Sequence, residues 1–93
     1  MIRRRIVSAQ QCRAARAVLR WSQTELARRA GLARKTIADF EQDSRRPQVR
    51  TRRDIMVVLE GAGVHFEWDD NGRAVGVRFR TPVHFTEKSA PQA

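Results

Sequence analysis

Apolar positions along this chain follow one period over the first sixty residues and another over the next twenty. Cys12, Ala15 and Leu19 recur at the spacing of a helix face, and Ser8 stands where a cap belongs, so a first helix is expected from Ser8 to about Arg20. Ser22-Gln-Thr-Glu25 then has the S-x-x-E spacing of a capping box. In that motif the serine hydroxyl accepts from the backbone and the glutamate reaches back to the cap's own N–H. It opens a short second helix with Leu26, Ala27 and Ala30 inward, closed at Gly31, where a left-handed residue costs little. A third helix is expected at 34–42, with Ile37 and Phe40 facing the core and Arg34, Lys35, Thr36 and Asp39 outside it. The polar connection QDSRRPQV leads to a fourth helix from Arg50 or Thr51 to Glu60, with Ile55, Val58 and Leu59 inward, and Gly61 and Gly63 stop it.

The period then falls to two. Val64, Phe66 and Trp68 alternate with His65 and Glu67, Asp69-Asp-Asn-Gly72 follows, and Val75, Val77 and Phe79 alternate with Gly76 and Arg78. This pattern predicts a β-hairpin, with Asn71-Gly72 suited to the positive φ angles of a tight turn. The expected fold is mostly α: a domain of four to five helices followed by a C-terminal β-hairpin. Its divisions are a basic arm at 1–7 (with a short strand at Ile6-Val7), a helical domain at 8–60, the hairpin at 61–80 and a flexible tail at 81–93.

Composition narrows the function. Ninety-three residues suffice for one domain with a modest core. No apolar run approaches the ~20 residues of a membrane span, and the basic start MIRRRIV lacks the long apolar segment of a secretory signal. A single cysteine, Cys12, excludes an internal disulfide and fits a reducing cytosol. The chain carries 19 Lys+Arg against 10 Asp+Glu, a formal charge of +9, and 17 of those cations are arginine. Residues 1–53 hold 15 cations and 4 acids (+11), and residues 54–93 hold 4 and 6 (−2), which together give the +9. Arginine forks fit phosphate and guanine, so the first half is the candidate nucleic-acid surface.

Two short helices joined by a glycine turn, the second polar at its start, make a helix-turn-helix. Here the sequence resembles the XRE-type, phage-repressor-like regulators. The resemblance is carried by Arg16, Trp21-Ser-Gln-Thr-Glu-Leu-Ala27, Ala30-Gly31, Thr36-Ile37, Phe40-Glu41, Pro47, Ile55 and Leu59, and covers roughly residues 11–60. It implies that Gln23 contacts the DNA backbone and braces the recognition helix. It also implies that Arg34, Lys35 and Thr36 face base edges and phosphates in the major groove, with Asp39 one turn on, and that Arg16 and Glu41 form a partly buried ion pair. The pair has independent support, because Arg16 lies four residues after Cys12 on the apolar stripe, where a charge needs a carboxylate. Two departures stand out: Ala33 replaces the usual Ser or Thr cap, and Asp43 stands where glycine is common.

Each residue also has an ordinary reading. Arg34 and Lys35 oppose the helix dipole, so they are either plain solvated surface or a site completed by phosphate or guanine. Asp39 either accepts from cytosine N4 or orients Lys35 or Arg34. Arg45, Arg46, Arg50, Arg52 and Arg53 flank the loop after the third helix, as phosphate contacts or as a solvated face; Arg45, Arg46 and Arg50 are the candidates carried forward. Arg3, Arg4 and Arg5 either thread a minor groove or do nothing.

Enzymatic and metal readings find little. His65 and His84 are nineteen positions apart without zinc-ligand spacing, no Gly-rich phosphate loop is present, and Asp69-Asp70 belong to turn chemistry. No cofactor and no metal is expected. Phe66, Trp68 and Phe79 are too much aromatic surface for a lone ribbon in water, so the hairpin either packs on the first and fourth helices or pairs with a second subunit. The expectation is a cytoplasmic, nucleoid-associated repressor that binds a pseudo-palindromic double-stranded operator as a homodimer. With no effector domain, its control would fall to concentration or to a protein partner. The rivals are an antitoxin that masks a toxin while repressing its own operon, and an anti-activator acting by protein contact. RNA binding is disfavoured, since no aromatic platform lies among the basic residues.

Overall fold

The computed structural model describes residues 5–80, which form four helices and then a two-stranded antiparallel sheet: α1 (Ala9–Leu19), α2 (Gln23–Ala30), α3 (Arg34–Glu41), α4 (Val49–Gly61), β1 (Val64–Trp68) and β2 (Ala74–Phe79). The expectation of a mostly helical domain ending in a hairpin is met, with four helices.

Local chemistry sets the boundaries. Ser8 caps α1 through a complete capping box: its hydroxyl accepts from the Gln11 N–H at 3.0 Å, and the Gln11 side chain accepts from the Ser8 N–H at 3.1 Å. The box expected at Ser22 is only half formed. Ser22 accepts from the Glu25 N–H, but the Glu25 carboxylate turns away to Arg28 and Arg29, each at 2.5 Å, because two guanidiniums attract it more strongly than one backbone amide. Helix α1 stops at Leu19 because Arg20 enters the left-handed region at φ 59°. Gly31 does the same for α2 at φ 68° without the strain a side chain brings. Asp43 adopts φ 60° after α3, the conformation for which glycine is common there. Helix α4 begins at Val49 and runs through Gly61, one or two residues earlier at its start and one residue later at its end than the pattern suggests.

The core draws its buried residues from five of the six elements, and the partly buried Val77 of β2 packs against it. Cys12 and Ala15 of α1, Leu26 and Ala27 of α2, Ile37 and Phe40 of α3, Ile55 and Leu59 of α4, and Val64 and Phe66 of β1 are buried together. Val7 is fully buried among them, so it is core rather than arm, and no strand forms at Ile6-Val7. The hairpin packs its Val64/Phe66 face on the helices, and the buried Gln11 amide pins it by donating to the carbonyls of Glu67 (3.2 Å) and Gly76 (3.1 Å). Its register pairs Val64 with Phe79 and Phe66 with Val77, with a bulge at Glu67/Trp68. In the turn only Gly72 takes positive φ (77°); Asn71 does not. The Asp69 carboxylate instead organises the loop by accepting from the backbone N–H groups of Asn71 and Arg73. Strand β2 keeps Val75 and Phe79 exposed, so only part of the expected apolar face is covered.

Candidate nucleic-acid interface

The surface built by α3 follows from its amphipathic sequence. Burying Ile37 and Phe40 turns the first-turn side chains of Arg34 and Lys35 to solvent. The Lys35 side chain is 81% exposed, and its Nζ lies 3.0 Å from the Asp39 carboxylate, an i,i+4 pair that orients the amine along the outer face of the helix. Arg34 donates through Nη1 to the Gln23 side-chain oxygen at 3.2 Å.

Gln23 is held from behind. Its amide N–H donates to Glu41 at 3.2 Å, which directs its oxygen outward to Arg34. The orientation is chemically fixed, since a carboxylate needs the donor end and a guanidinium the acceptor end. Glu41 is 1% exposed and fully engaged: Arg16 grips both carboxylate oxygens (Nη2 at 2.6 Å, Nε at 2.7 Å), and the Cys12 thiol donates to one of them at 3.1 Å. Arg13 donates to the Glu41 carbonyl, and Arg16 also donates to the Trp21 carbonyl at 3.0 Å. Burial by itself raises the Glu41 carboxyl, but the hydrogen bonds from Arg16, Cys12 and Gln23 outweigh it and hold the group below the ordinary carboxylate value. Arg16 is shifted up, chiefly by its hydrogen bonds to Glu41. Burial pushes the Cys12 thiol well above its usual value, so it serves as a small hydrogen-bonding core residue.

Beside α3 runs a hollow of about 550 Å³, lined by Lys35, Thr36, Asp39, Arg45, Arg46 and Pro47 among others. Five of the residues singled out in the sequence are thus gathered around one groove; Arg34 joins them through Gln23, while Arg50 sits apart, exposed on the first turn of α4. Arg45, Arg46 and Arg50 are exposed and form no ion pair among the described residues. Arg5 is exposed, and Arg3 and Arg4 lie outside the described residues. Sequence reasoning missed the contributions of Cys12 and Arg13 to Glu41; their i,i+3 and i,i+4 relation to Arg16 (12, 13, 16) was the available signal.

The geometry is that of a short helix presented on a two-helix brace, and a family model described as helix-turn-helix matches residues 13–59, just over half of the chain. The chain belongs to the XRE-type helix-turn-helix family. A comparison with curated proteins finds no match. Family membership makes this a DNA-binding regulator whose ligand is double-stranded DNA, in a family that is not typically enzymatic. Among the described residues no helix is long and apolar enough to cross a membrane, and no three His, Cys, Asp or Glu side chains cluster to hold a metal ion.

Proposed function

We propose that this XRE-type regulator is a bacterial, cytoplasmic, nucleoid-associated repressor that reads a pseudo-palindromic operator as a homodimer and occludes a promoter, its own included. The observation that carries the reading is the exposure of Arg34 and Lys35 side by side on the first turn of α3, beside a groove edged by Arg45 and Arg46. In this reading Arg34, Lys35 and Thr36 take base edges. Gln23 braces Arg34 and meets the backbone, and Arg45, Arg46 and Arg50 take phosphates. The 3.0 Å pair favours Asp39 as the residue that orients Lys35 over a direct contact to cytosine. Capping supports the assignment: α1 and α2 have serine caps, whereas α3 and α4 begin at Ala33 and Gln48 with no side-chain cap. Their first N–H groups are left without side-chain acceptors on the basic side of the molecule.

Dimerisation is assigned to the 61–80 region. The Arg80 N–H donates to the Gly63 carbonyl at 2.7 Å, so alternation along the ladder turns the Val77 and Phe79 backbone groups to the outer edge of β2. Val75, 63% exposed, and Phe79, 44% exposed, flank that edge. A second copy pairing there would bury them and set two recognition helices for half-sites ~34 Å apart. The same edge suits a toxin in the antitoxin reading, and co-purification with a neighbouring gene product separates the two. The primary test is fluorescence anisotropy on the region upstream of its own gene. Specific binding that loses base preference at one position in Arg34→Ala supports the proposal, and equal affinity for operator and arbitrary DNA would sink it.

A further inference from the structure

A second hollow, of about 420 Å³, opens between the Ile6–Ser8 segment, the start of α4 and the hairpin turn. Its walls are apolar at Ile6, Val49 and Trp68 and cationic at Arg46, Arg52 and Arg73. Arg73 is matched, with its Nε 3.0 Å from Asp69. Arg46 and Arg52 are not: neither forms an ion pair among the described residues. Arg52 is the more costly of the two. Its guanidinium carbon lies over the Phe40 ring, 5.8 Å from the centroid. Nη2 donates to the Val7 carbonyl at 3.2 Å, and the buried Nε has no hydrogen-bond partner among the described residues. Burial pushes this guanidinium below its ordinary value, and the nearby Arg46 pushes the same way, against a smaller opposing pull from Asp43. A cation that has surrendered part of its hydration beside a like charge is stabilised by an anion that bridges the two.

We propose that this hollow binds a small organic anion, its carboxylate or phosphate head bridging Arg46 and Arg52 and its apolar body lying against Trp68. Guanidinium forks favour such oxyanions, and the volume lies within the range of ligand pockets, whose walls are mostly apolar with a few placed polar groups. Arg46 also lines the groove beside α3, so occupancy of the hollow is linked to the DNA face. That link, unlike the binding itself, rests on the DNA contact proposed for Arg46. It would give this DNA-binding domain a means of sensing a metabolite.

The test uses the full chain with Trp21→Phe, which leaves Trp68 as the single tryptophan of the two in the sequence. Benzoate serves as the probe, with neutral benzamide and inorganic phosphate as comparisons. Benzoate is expected to change Trp68 emission saturably, and Kd to rise at least tenfold in Arg46→Gln and in Arg52→Gln. Arg46 is exposed, so its variant keeps the fold, and circular dichroism checks both. A benzamide response equal to that of benzoate, or unchanged affinity in Arg46→Gln, overturns the proposal. Inorganic phosphate binding as tightly as benzoate also overturns it, and would assign the hollow to a DNA backbone phosphate. A duplex of arbitrary sequence at low salt is expected to bind several-fold more weakly to the benzoate-saturated protein; equal affinity would remove the link to DNA. Because the emission assay contains no DNA, failure of the anion site and failure of the DNA-binding reading are seen separately.

Discussion

Removing the positive half of the Arg16–Glu41 pair is the sharpest perturbation of this fold. Arg16→Met keeps most of the stem while deleting the guanidinium that grips both carboxylate oxygens. Glu41, 1% exposed, would retain only the Cys12 thiol and the Gln23 amide as donors. Stranding a buried charge in this way costs about 3–5 kcal/mol. At ~0.05–0.15 kcal/mol per residue, a domain of this size has only about 4–11 kcal/mol in all, so the variant should lose about a quarter or more of its stability. Urea unfolding at pH 7 and fixed protein concentration measures the loss. Glu41→Gln should be milder, since the amide keeps the shape and one acceptor, and the double variant should cost less than the two singles together.

The same carboxylate predicts a pH dependence of definite sign. Its native pKa lies below the ordinary 4.5, so the charged form is favoured by folding. The stability that wild type gains from this ionisation is fully present above about pH 4.5 and disappears as pH falls through the lower native value. Comparing wild type with Glu41→Gln cancels the general acid destabilisation of a +9 chain. The gap between them should be constant from pH 7 to 5 and close below that. A gap that stays constant as pH falls well below 4.5, or an Arg16→Met loss under about 1 kcal/mol, would refute the account of this network.

Three further outcomes can be measured. Arg34→Ala or Lys35→Ala should weaken operator binding by about 1–3 kcal/mol and relax preference at one base pair, whereas Arg50→Ala should weaken all sequences alike and lower the slope of log K against log salt by about one; anisotropy titrations at several salt concentrations distinguish them. Val75→Lys, placed where the side chain is 63% exposed, should leave the melting temperature of the protomer near wild type and convert dimer to monomer in analytical ultracentrifugation at micromolar concentration; an unchanged dimer moves the interface elsewhere. Ala33→Ser should stabilise the protein by about 1 kcal/mol, because Ala33 already has cap geometry (φ −73°, ψ 145°) and lacks only the hydroxyl; thermal denaturation reads the gain.

The helices and the hairpin were legible because period and punctuation agree: Ser8, Gly31 and Gly72 stand where the apolar rhythm breaks. What was not legible depends on three-dimensional competition. S-x-x-E at Ser22 is a valid box in isolation, but Arg28 and Arg29 sit one turn away and take the carboxylate, while the serviceable box at Ser8 uses Gln11, a residue with no nearby cation to divert it. Val7 reads as the end of a basic arm until α4 is folded, when it fills the core and its carbonyl becomes the acceptor for Arg52. Of the arginines, Arg16 could be singled out because it interrupts an apolar stripe. Arg52 could not, because it is covered where its guanidinium meets the Phe40 ring and the Val7 carbonyl, contacts with no signature in local spacing.

That difference between Arg16 and Arg52 explains why this molecule can keep so many cations in so small a fold. Arg16 is neutralised inside by Glu41, and the neutralisation is transmitted: a filled carboxylate turns Gln23, and Gln23 steadies Arg34 at the surface. Stability and the pose of the proposed reading arginine therefore share one group. Gln23→Ala separates them, because it leaves the Arg16–Glu41 pair intact while releasing Arg34 and removing one neutral donor from Glu41. Its unfolding free energy should fall by no more than about 0.5–1.5 kcal/mol, the usual net worth of a hydrogen bond. Base preference at the Arg34 position should meanwhile relax nearly as far as in Arg34→Ala. If Gln23→Ala keeps full base preference, the surface arginine finds its pose without the buried pair, and the chain from Glu41 to the duplex has no mechanical meaning.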